Sequence, residues 1–145
     1  KTHKDKLPKI ANLFNRDGGP TPPIGIAVSQ AMYDDFVEIC KPIKEINPEY
    51  PFEVTVAQPR KKPTTMGGTD ASVFAVKGVP TYGFREQDFK GYNFNYGEIW
   101  HTERDLYTKS IPEYMEHTSV VTAIVALGVA NLKHQLSREG MYTDQ

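Results

Sequence analysis

Apolar residues recur along the chain with two different periods, and each period predicts a different kind of element. Between residues 32 and 46 the spacing is four and three, which predicts a helix with one apolar face and charged residues mostly on the others. Ser29 would serve as the N-cap of this helix, whereas Pro42 lies inside the pattern and should kink the helix or end it early. The apolar face consists of Met32, Phe36, Ile39, Ile43 and Ile46.

The clearest helical pattern lies near the carboxyl end of the chain. Ser110 and Glu113 have the spacing of a capping box, and Pro112 suits the first turn of a helix. The wide apolar face that follows should be well buried, with a sheet as the expected surface. Its residues are Val121, Ile124, Val125, Gly128, Val129 and Leu132.

Four short β-rich segments predict strands. They cover residues 9–16, 24–29, 52–58 and 79–84, and the first ends in the turn Asp-Gly-Gly-Pro, which cannot continue a strand. Because strands and helices alternate along the chain, the order of elements favours a layered α/β fold.

Two further segments complete the predicted organisation. Residues 69–78 predict a short helix that begins at Thr69 or Asp70 and stops at Gly78. Residues 85–109 show no sustained period and are rich in Gly, Asn and aromatic residues. A loop of this length in a small domain is usually functional or disordered, and we expect a functional loop.

Length and charge narrow the class of protein. The 145 residues suffice for one domain with its own core. The 17 basic and 18 acidic side chains give a formal net charge of -1, which predicts no general attraction to nucleic acid or to an anionic membrane. The basic tract at residues 59–63 is bracketed by prolines and is expected to be a solvated loop. No apolar run reaches the roughly 18 residues of a membrane span.

Cys40 is the one cysteine, so no internal disulfide can form, and we expect it to be buried.

Three places could carry chemistry, and each also has a purely structural interpretation. Asp17 follows a predicted strand and precedes two glycines, where α/β folds place ligands, although an ordinary turn aspartate gives the same pattern. Gly67 and Gly68 precede a predicted helix start whose free N–H groups suit a carboxylate, although a capped helix after a glycine-rich loop looks the same. His101 has Asp105 four residues later, and a carboxylate can orient an imidazole, although a lone histidine is usually a surface or packing residue.

Taken in order, these segments resemble one family of enzymes. The sequences NRDGG, GGTDASVF, GVPTYGF and IWHTERD, followed by a long apolar helix, are similar to the C-terminal half of the co-catalytic zinc exopeptidases. These are the aminopeptidase and glutamate-carboxypeptidase-like metallopeptidases, often called family twenty-eight. The resemblance runs from about residue 9 to about residue 136. It implies a three-layer α/β/α fold, of which residues 1–145 would be the C-terminal part, with a partly completed mixed sheet.

The resemblance also implies roles for individual residues. Asp17 matches the terminal ligand of one zinc ion, and His101 matches the terminal ligand of the other. Asp105 matches the acidic residue that follows the histidine, and Asp70 matches the aspartate of the family's Gly-Ser/Thr-Asp-His segment, so both imply a supporting place behind the ligands. Ala71 stands where many members carry histidine, a change expected to affect local hydrogen bonding or the shape of the pocket rather than metal binding.

Substrate contacts are expected from residues that flank the matched motifs. The implied reaction is hydrolysis of a terminal peptide bond by metal-activated water, with a peptide as substrate and two zinc ions in the complete enzyme. Arg85 could pair with a substrate carboxylate, although a surface arginine is the alternative interpretation. The expected contact residues are Gly68, Arg85, Tyr92, Asn93, Asn95 and Tyr96.

Part of the family's machinery has no match in this chain. The first half of the family's domain supplies an H-x-D segment whose aspartate bridges both metals, and an adjacent glutamate pair that supplies the general base and a ligand. His3 and Asp5 have the letters of H-x-D but not the expected distance before the N-x-D strand, and no adjacent glutamates occur. The chain starts at Lys1 without a visible signal peptide, so we expect a fragment or a processed chain. An N-terminal segment of the same catalytic domain would then be its partner, and the chain alone should be inactive.

Two other interpretations stay open at the level of sequence. The chain could be a non-catalytic binding or assembly domain with the exopeptidase fold, or an unrelated α/β domain whose motifs match by chance. Family members are commonly secreted, periplasmic or lysosomal, but no signal in this sequence supports a location.

Overall fold

The computed structural model describes residues 3–143, which form one mixed sheet with helices around it. The elements are β1 (Pro23–Val28), α1 (Tyr33–Ile46), β2 (Glu53–Val56), α2 (Ala71–Ala75), β3 (Phe84–Glu86), α3 (Tyr96–Ile99) and α4 (Pro112–Asn131), with 3-10 helices at Lys4–Lys9, Gln30–Met32 and Tyr107–Lys109. The three strands lie in the order β2-β1-β3, with β1 parallel to β2 and antiparallel to β3. An α/β fold with a mixed sheet is therefore confirmed, while the three-layer arrangement stays a prediction.

The core lies where β1 meets the two long helices. Ile26 and Val28 of β1 belong to the same buried cluster as Phe36 of α1 and as Val121 and Val125 of α4. Helices α1 and α4 contact each other, and each also contacts the sheet. Removing these apolar side chains from water stabilises the fold by about 25 cal/mol for each Å² buried.

Helix α1 has the predicted apolar face with one exception at its end. Ile39 is half-buried, whereas Ile46 is exposed because the helix stops there. Of the two effects expected of Pro42, the early end of the helix is wrong, because α1 continues to Ile46, and the kink stays a prediction. Pro42 lies on the exposed side, where water can satisfy the Glu38 carbonyl that loses its helical partner. The N-cap prediction also fails, since Ser29 makes no side-chain cap bond and a 3-10 turn comes before α1.

Cys40 is buried in α1, as its sequence position predicts. Burial raises the pKa of its thiol to about 12. Because the thiolate is the reactive form of cysteine, this thiol is chemically quiet at neutral pH.

Helix α4 has the wide apolar face that its sequence predicts. Val121, Val125 and Val129 are buried, and Ile124 and Leu132 pack against the core at its margin. The helix rests mainly on α1 and to a smaller extent on β1, so the expected sheet surface is only part of its contact. In the part of the chain that the structure describes, no helix is both long and apolar enough to cross a membrane.

Helices α1 and α4 approach closely at Gly128. A Cβ atom at this position would lie 2.5 Å from Cγ2 and 2.9 Å from Cγ1 of Ile39, nearer than a side chain can come without a shift. Glycine costs about 1 kcal/mol relative to alanine inside a helix, so its presence here reflects packing and not helix propensity.

His117 of α4 ties three elements together in the core. Its ring is 1% exposed and stacks on Tyr50 with 3.9 Å between the ring centres. Nε2 lies 3.1 Å from the carbonyl oxygen of Pro23, which can only accept, so Nε2 carries the proton. Nδ1 then accepts from the side-chain amide of Asn47 at 2.9 Å. Burial lowers the pKa of His117, which favours this neutral form.

Two of the four predicted strands do not form with the predicted bounds. Residues 9–16 form no regular strand, since residue 9 belongs to a 3-10 helix and residues 10–16 form no regular element. The strand predicted at residues 79–84 is replaced by β3, which begins only at Phe84. The two segments still run together, because the N–H of Leu13 donates to the carbonyl of Pro80 at 2.9 Å. The side chain of Asn12 then bonds both the N–H and the carbonyl of Tyr82, each at 3.0 Å. A side chain thus takes the bonds that a partner backbone would otherwise make, and no ladder forms.

The predicted capping box of α4 is also wrong. Ile111 occupies the N-cap position without a side-chain cap bond. The Glu113 carboxylate instead accepts from the hydroxyls of Tyr50 and Tyr92 and pairs with the ammonium of Lys90. The region from residue 85 to residue 109 is correspondingly more structured than a plain loop, since it holds α3 and a 3-10 turn.

We predict that acidification weakens the fold through His117. The unfolded chain takes up a proton on this histidine near pH 6.5, whereas the folded chain does so only at lower pH. The contribution of neutral His117 to the free energy of unfolding is therefore fully present above about pH 6.5 and is lost as the pH falls below it. Urea unfolding of the wild-type protein and of His117→Gln at pH 7.5 and pH 5.0 measures this. The wild type should lose more free energy of unfolding than the variant between the two pH values, and parallel losses would contradict the assignment.

Candidate active site

Four segments of the chain meet around one cleft of about 1110 Å³. They are the turn after residue 16, the glycine loop before α2, the turn after α3, and the stretch that leads into α4. Most of the residues singled out by sequence lie here. The cleft is lined by Asp17, Gly68, Asp70, Tyr96, His101 and Asp105 among others.

The Asp17 turn is held by the residues on either side of the aspartate. Asn15 donates from its side-chain amide to Oδ2 of Asp17 at 2.8 Å, which orients the carboxylate. Nε of Arg16 lies 2.8 Å from Oε1 of Glu86, so this turn is fastened to β3. Gly18 lies against the same carboxylate, since a Cβ there would be 1.6 Å from Oε2 of Glu86. The carboxylate of Asp17 itself stays exposed to the cleft.

Glu86 is a contributor that sequence reasoning missed. Burial raises its pKa and the nearby Asp17 adds to the rise, while Arg16 opposes both. A charged residue at the start of the predicted loop of residues 85–109 carries no sequence signal for this contact, because Arg16 is 70 positions away. Its role here is to anchor the turn that presents Asp17.

His101 is presented by a tight turn at the end of α3. Thr102 donates its hydroxyl to the carbonyl of Glu98 at 2.8 Å and accepts from the N–H of Arg104 at 3.2 Å, so it closes the helix. His101 directly precedes Thr102 and has a φ of 56°, in the left-handed region. Its exposed ring lies 4.6 Å from the ring of Trp100, measured between the ring centres. The two neighbouring residues therefore have different roles: Thr102 bonds the last carbonyls of α3, and His101 exposes its ring to solvent.

Gly19 brings the two turns against each other. Its φ of 66° is left-handed, and a Cβ here would lie 2.9 Å from Cζ of Phe94 and 3.5 Å from Cδ1 of Ile99. Asp17 precedes Gly19 by two residues, and His101 follows Ile99 by two residues. The contact thus brings the segments of both side chains to the same cleft.

The glycine loop and Asp105 form further parts of the wall. Gly67 and Gly68 have φ values of 146° and 82° and open space around them, and the N–H of Gly67 donates to the Ser72 hydroxyl at 2.9 Å. Asp70 occupies the N-cap position of α2 but makes no side-chain cap bond. Asp105 is held through its N–H, which donates to the Thr102 carbonyl at 3.3 Å.

Four of the expected contact residues lie outside the cleft. Tyr92, Asn93 and Asn95 line a neighbouring pocket of about 250 Å³, and Asn95 also caps α3 by accepting from the N–H of Gly97 at 2.9 Å. Arg85 lies in β3, with Nη2 3.5 Å from a carboxylate oxygen of Glu53, and lines neither pocket. Its position matches the alternative of a surface arginine better than a substrate contact.

Exposed apolar side chains are concentrated around the same cleft. Soluble proteins rarely leave large apolar side chains together in water, and concave sites that bind ligands are mostly apolar. The exposed apolar residues that line the cleft are Met66, Val73, Tyr96, Trp100, Leu106 and Met115.

The donor atoms suit zinc in kind but not in number. A carboxylate and an imidazole are both ordinary zinc ligands. Within residues 3–143, however, no group of three or more His, Cys, Asp or Glu side chains is arranged to hold a metal ion. A carboxylate and an imidazole alone are therefore too few to hold a zinc ion at this cleft.

Comparison with known families identifies the class of protein. Residues 2–125 match peptidase family M28, and the chain belongs to this family. The match confirms the resemblance that the order of motifs predicts, and membership implies a peptidase. Neither a curated protein nor a solved structure matches the chain.

We predict that Gly19→Ala destabilises the fold more than Gly91→Ala does. Both positions have left-handed backbone, at φ values of 66° and 74°, so both substitutions should cost about 1 kcal/mol of strain. Only Gly19 has neighbours within 4 Å, and forcing a methyl group against Phe94 should add about 1–3 kcal/mol. Urea unfolding of both variants compares the costs, and equal values would mean that the Phe94 contact does not constrain the turn.

Proposed function

We propose that this chain is part of a zinc-dependent exopeptidase that hydrolyses terminal peptide bonds. Asp17 and His101 act as terminal ligands of two separate zinc ions. The observation that supports this is their presence in one cleft, each exposed and each carried by a turn that neighbouring residues fasten. When both zinc ions are bound, they would supply a Lewis acid and an activated water for hydrolysis.

The residues behind the ligands set their direction. Asn15 fixes the carboxylate of Asp17 through its amide, at a donor–acceptor distance of 2.8 Å. Thr102 fixes the backbone that carries His101. Asp105 and Asp70 stay near the ligands as acidic supports on the wall of the cleft.

The peptide is proposed to lie along the apolar wall of the cleft. Trp100, Met66 and Leu106 would contact an apolar side chain of the substrate, and Tyr96 and Gly68 lie at the same wall. The bridging aspartate, the general base and the remaining ligands would come from an upstream segment of the same catalytic domain. That segment is the partner that the proposal requires, since no adjacent glutamate pair occurs in this chain.

A binding or assembly domain with the exopeptidase fold is the second candidate. The observation in its favour is that no metal-holding group of three or more side chains exists within residues 3–143. Zinc binding by the chain joined to its upstream segment separates the two candidates.

We predict that the 145-residue chain alone does not hydrolyse peptides. It provides two ligands for two ions, whereas a catalytic zinc normally has three protein ligands. Aminoacyl and dipeptide substrates incubated with pure chain and excess zinc should give no turnover that a chelator abolishes. Robust turnover that disappears with the chelator would mean that the catalytic groups lie elsewhere in this chain.

We predict that His101→Ala removes one metal ligand in the completed protein. Isothermal titration of zinc into the chain joined to its upstream segment should show two ions for the wild type and weakened binding of one ion for the variant. Asp105→Asn should weaken zinc binding less, near the lower end of the about 10–100-fold loss in affinity that is typical for a residue behind a metal ligand. His134→Ala is the matched control, because His134 is an exposed histidine paired with Asp35 outside the cleft. Equal stoichiometry and affinity in His101→Ala and wild type would rule out the ligand role.

A further inference from the structure

We infer that Asp88 and Tyr114 are positioning residues for the cleft. They hold the loop of residues 88–94 so that Phe94 keeps the Asp17 turn in a fixed place beside the His101 turn. The functional meaning of this inference rests on the proposed metal roles of the two turns. The mechanical coupling itself can be tested without metal or activity.

The coupling begins in the core, at Tyr114. This side chain is fully buried in the first turns of α4, between the rings of Phe89 and Tyr92 at centre distances of 5.8 and 5.2 Å. Its hydroxyl donates to Oδ1 of Asp88 at 2.7 Å and accepts from the N–H of Lys90 at 2.9 Å. Two points of the loop are therefore fixed to one rigid atom of the helix.

Asp88 carries the constraint along the loop. Its Oδ1 accepts from the N–H of Tyr92 at 3.0 Å, and its Oδ2 accepts from the N–H of Phe94 at 3.3 Å. One carboxylate thus gathers a side-chain hydroxyl and two backbone donors, and the loop closes around it. These donors, above all the hydroxyl of Tyr114, lower the pKa of Asp88, as expected where the charged form is the bonded form.

The outer side of the loop is fastened to the same helix. Glu113, next to Tyr114, accepts from the hydroxyl of Tyr92 and pairs with Lys90. Lys90 also lies 4.8 Å from the centre of the Tyr50 ring. The start of α4 therefore holds the loop from both sides.

The loop ends against the cleft at Phe94. The edge of its ring fills the space beside Gly19, where a Cβ would come within 2.9 Å of Cζ, and Ile99 reaches the same glycine from α3. A shift of Phe94 would therefore move the Asp17 turn relative to the His101 turn. Asp88 and Tyr114 are not among the residues that line the cleft, so they act through the contact of Phe94 with Gly19.

The variants Tyr114→Phe and Asp88→Asn test the coupling. Tyr114→Phe keeps the buried ring and removes only the hydroxyl, so the fold should survive. Asp88→Asn keeps the shape of the side chain and replaces one acceptor oxygen by a donor. Asp35→Asn is the matched control: this aspartate pairs with His134 beyond the other end of α4, about 25 Å along the helix from Tyr114.

Trp100 is the single tryptophan of the chain and stands next to His101, so its emission reports on that turn. In both test variants the emission of Trp100 should shift and the amides of Tyr92 and Phe94 should exchange hydrogen faster, with unchanged far-ultraviolet dichroism. The control should match the wild type in both readouts. Folded test variants with wild-type emission and exchange would overturn the inference.

Zinc titration of the chain joined to its upstream segment then separates the inference from the proposed function. The inference expects both test variants to bind zinc about 10-fold more weakly, in the range of changes behind a metal ligand. If His101→Ala lowers zinc affinity and the test variants do not, the metal role stands and the positioning role falls. If His101→Ala changes nothing, the metal role falls, while emission and amide exchange still decide the coupling.

Discussion

Helix α4 packs closely against α1 at Gly128, where an added side chain would force Ile39 to shift, and this contact fixes which residues of α4 face α1. With Gly128 against Ile39, residues at helical spacing before it fall on the same side of the structure. Val125 and Val121 enter the core, and His117 reaches the start of β1 and the end of α1. The helix therefore joins the close contact at one end to the polar network at the other.

In the candidate site, the residues next to Asp17 and His101 are held by hydrogen bonds and an ion pair, whereas the side chains of Asp17 and His101 are exposed. Asp17 and His101 are both exposed, and the ring of His101 lies beside the exposed ring of Trp100. Their precision comes from Arg16 and Thr102, which lie beside them and are bonded to other elements or to the helix end. This arrangement would suit the proposed metal site, because the side chains of Asp17 and His101 stay accessible while their backbones are held.

The sequence predicts those parts of the fold that depend on local periodicity. The apolar faces of α1 and α4 follow from spacing, the strands β1 and β2 follow from β-rich segments, and the order of motifs predicts the family. The residues matched to the motifs line the cleft, whereas four of the residues that flank the motifs do not. Two of the failures share a physical cause, which is a partner far away in sequence. Asn12 replaces a strand ladder by bonding Tyr82, and Glu113 leaves its capping position to bond Tyr92.

Glu86 and Asp88, which lie behind the cleft, show the same limit of sequence-based prediction. Each is a single acidic residue in a segment without a period, so nothing local distinguishes it from a solvated charge. Glu86 acquires its role from Arg16, and Asp88 acquires its role from Tyr114, a residue buried in a helix 26 positions later. Such roles appear only once the chain is folded, because burial and partner together define them.

The burial of Cys40 makes the protein well suited to site-specific labelling. Its one native thiol is sealed in α1, so a maleimide dye or a nitroxide spin label would react slowly with the unmodified chain. A cysteine introduced at Tyr107, which is 91% exposed and adjoins Leu106 at the wall of the cleft, would then be the sole reactive position. Motion of this wall can therefore be followed by fluorescence or electron paramagnetic resonance without first removing a native cysteine.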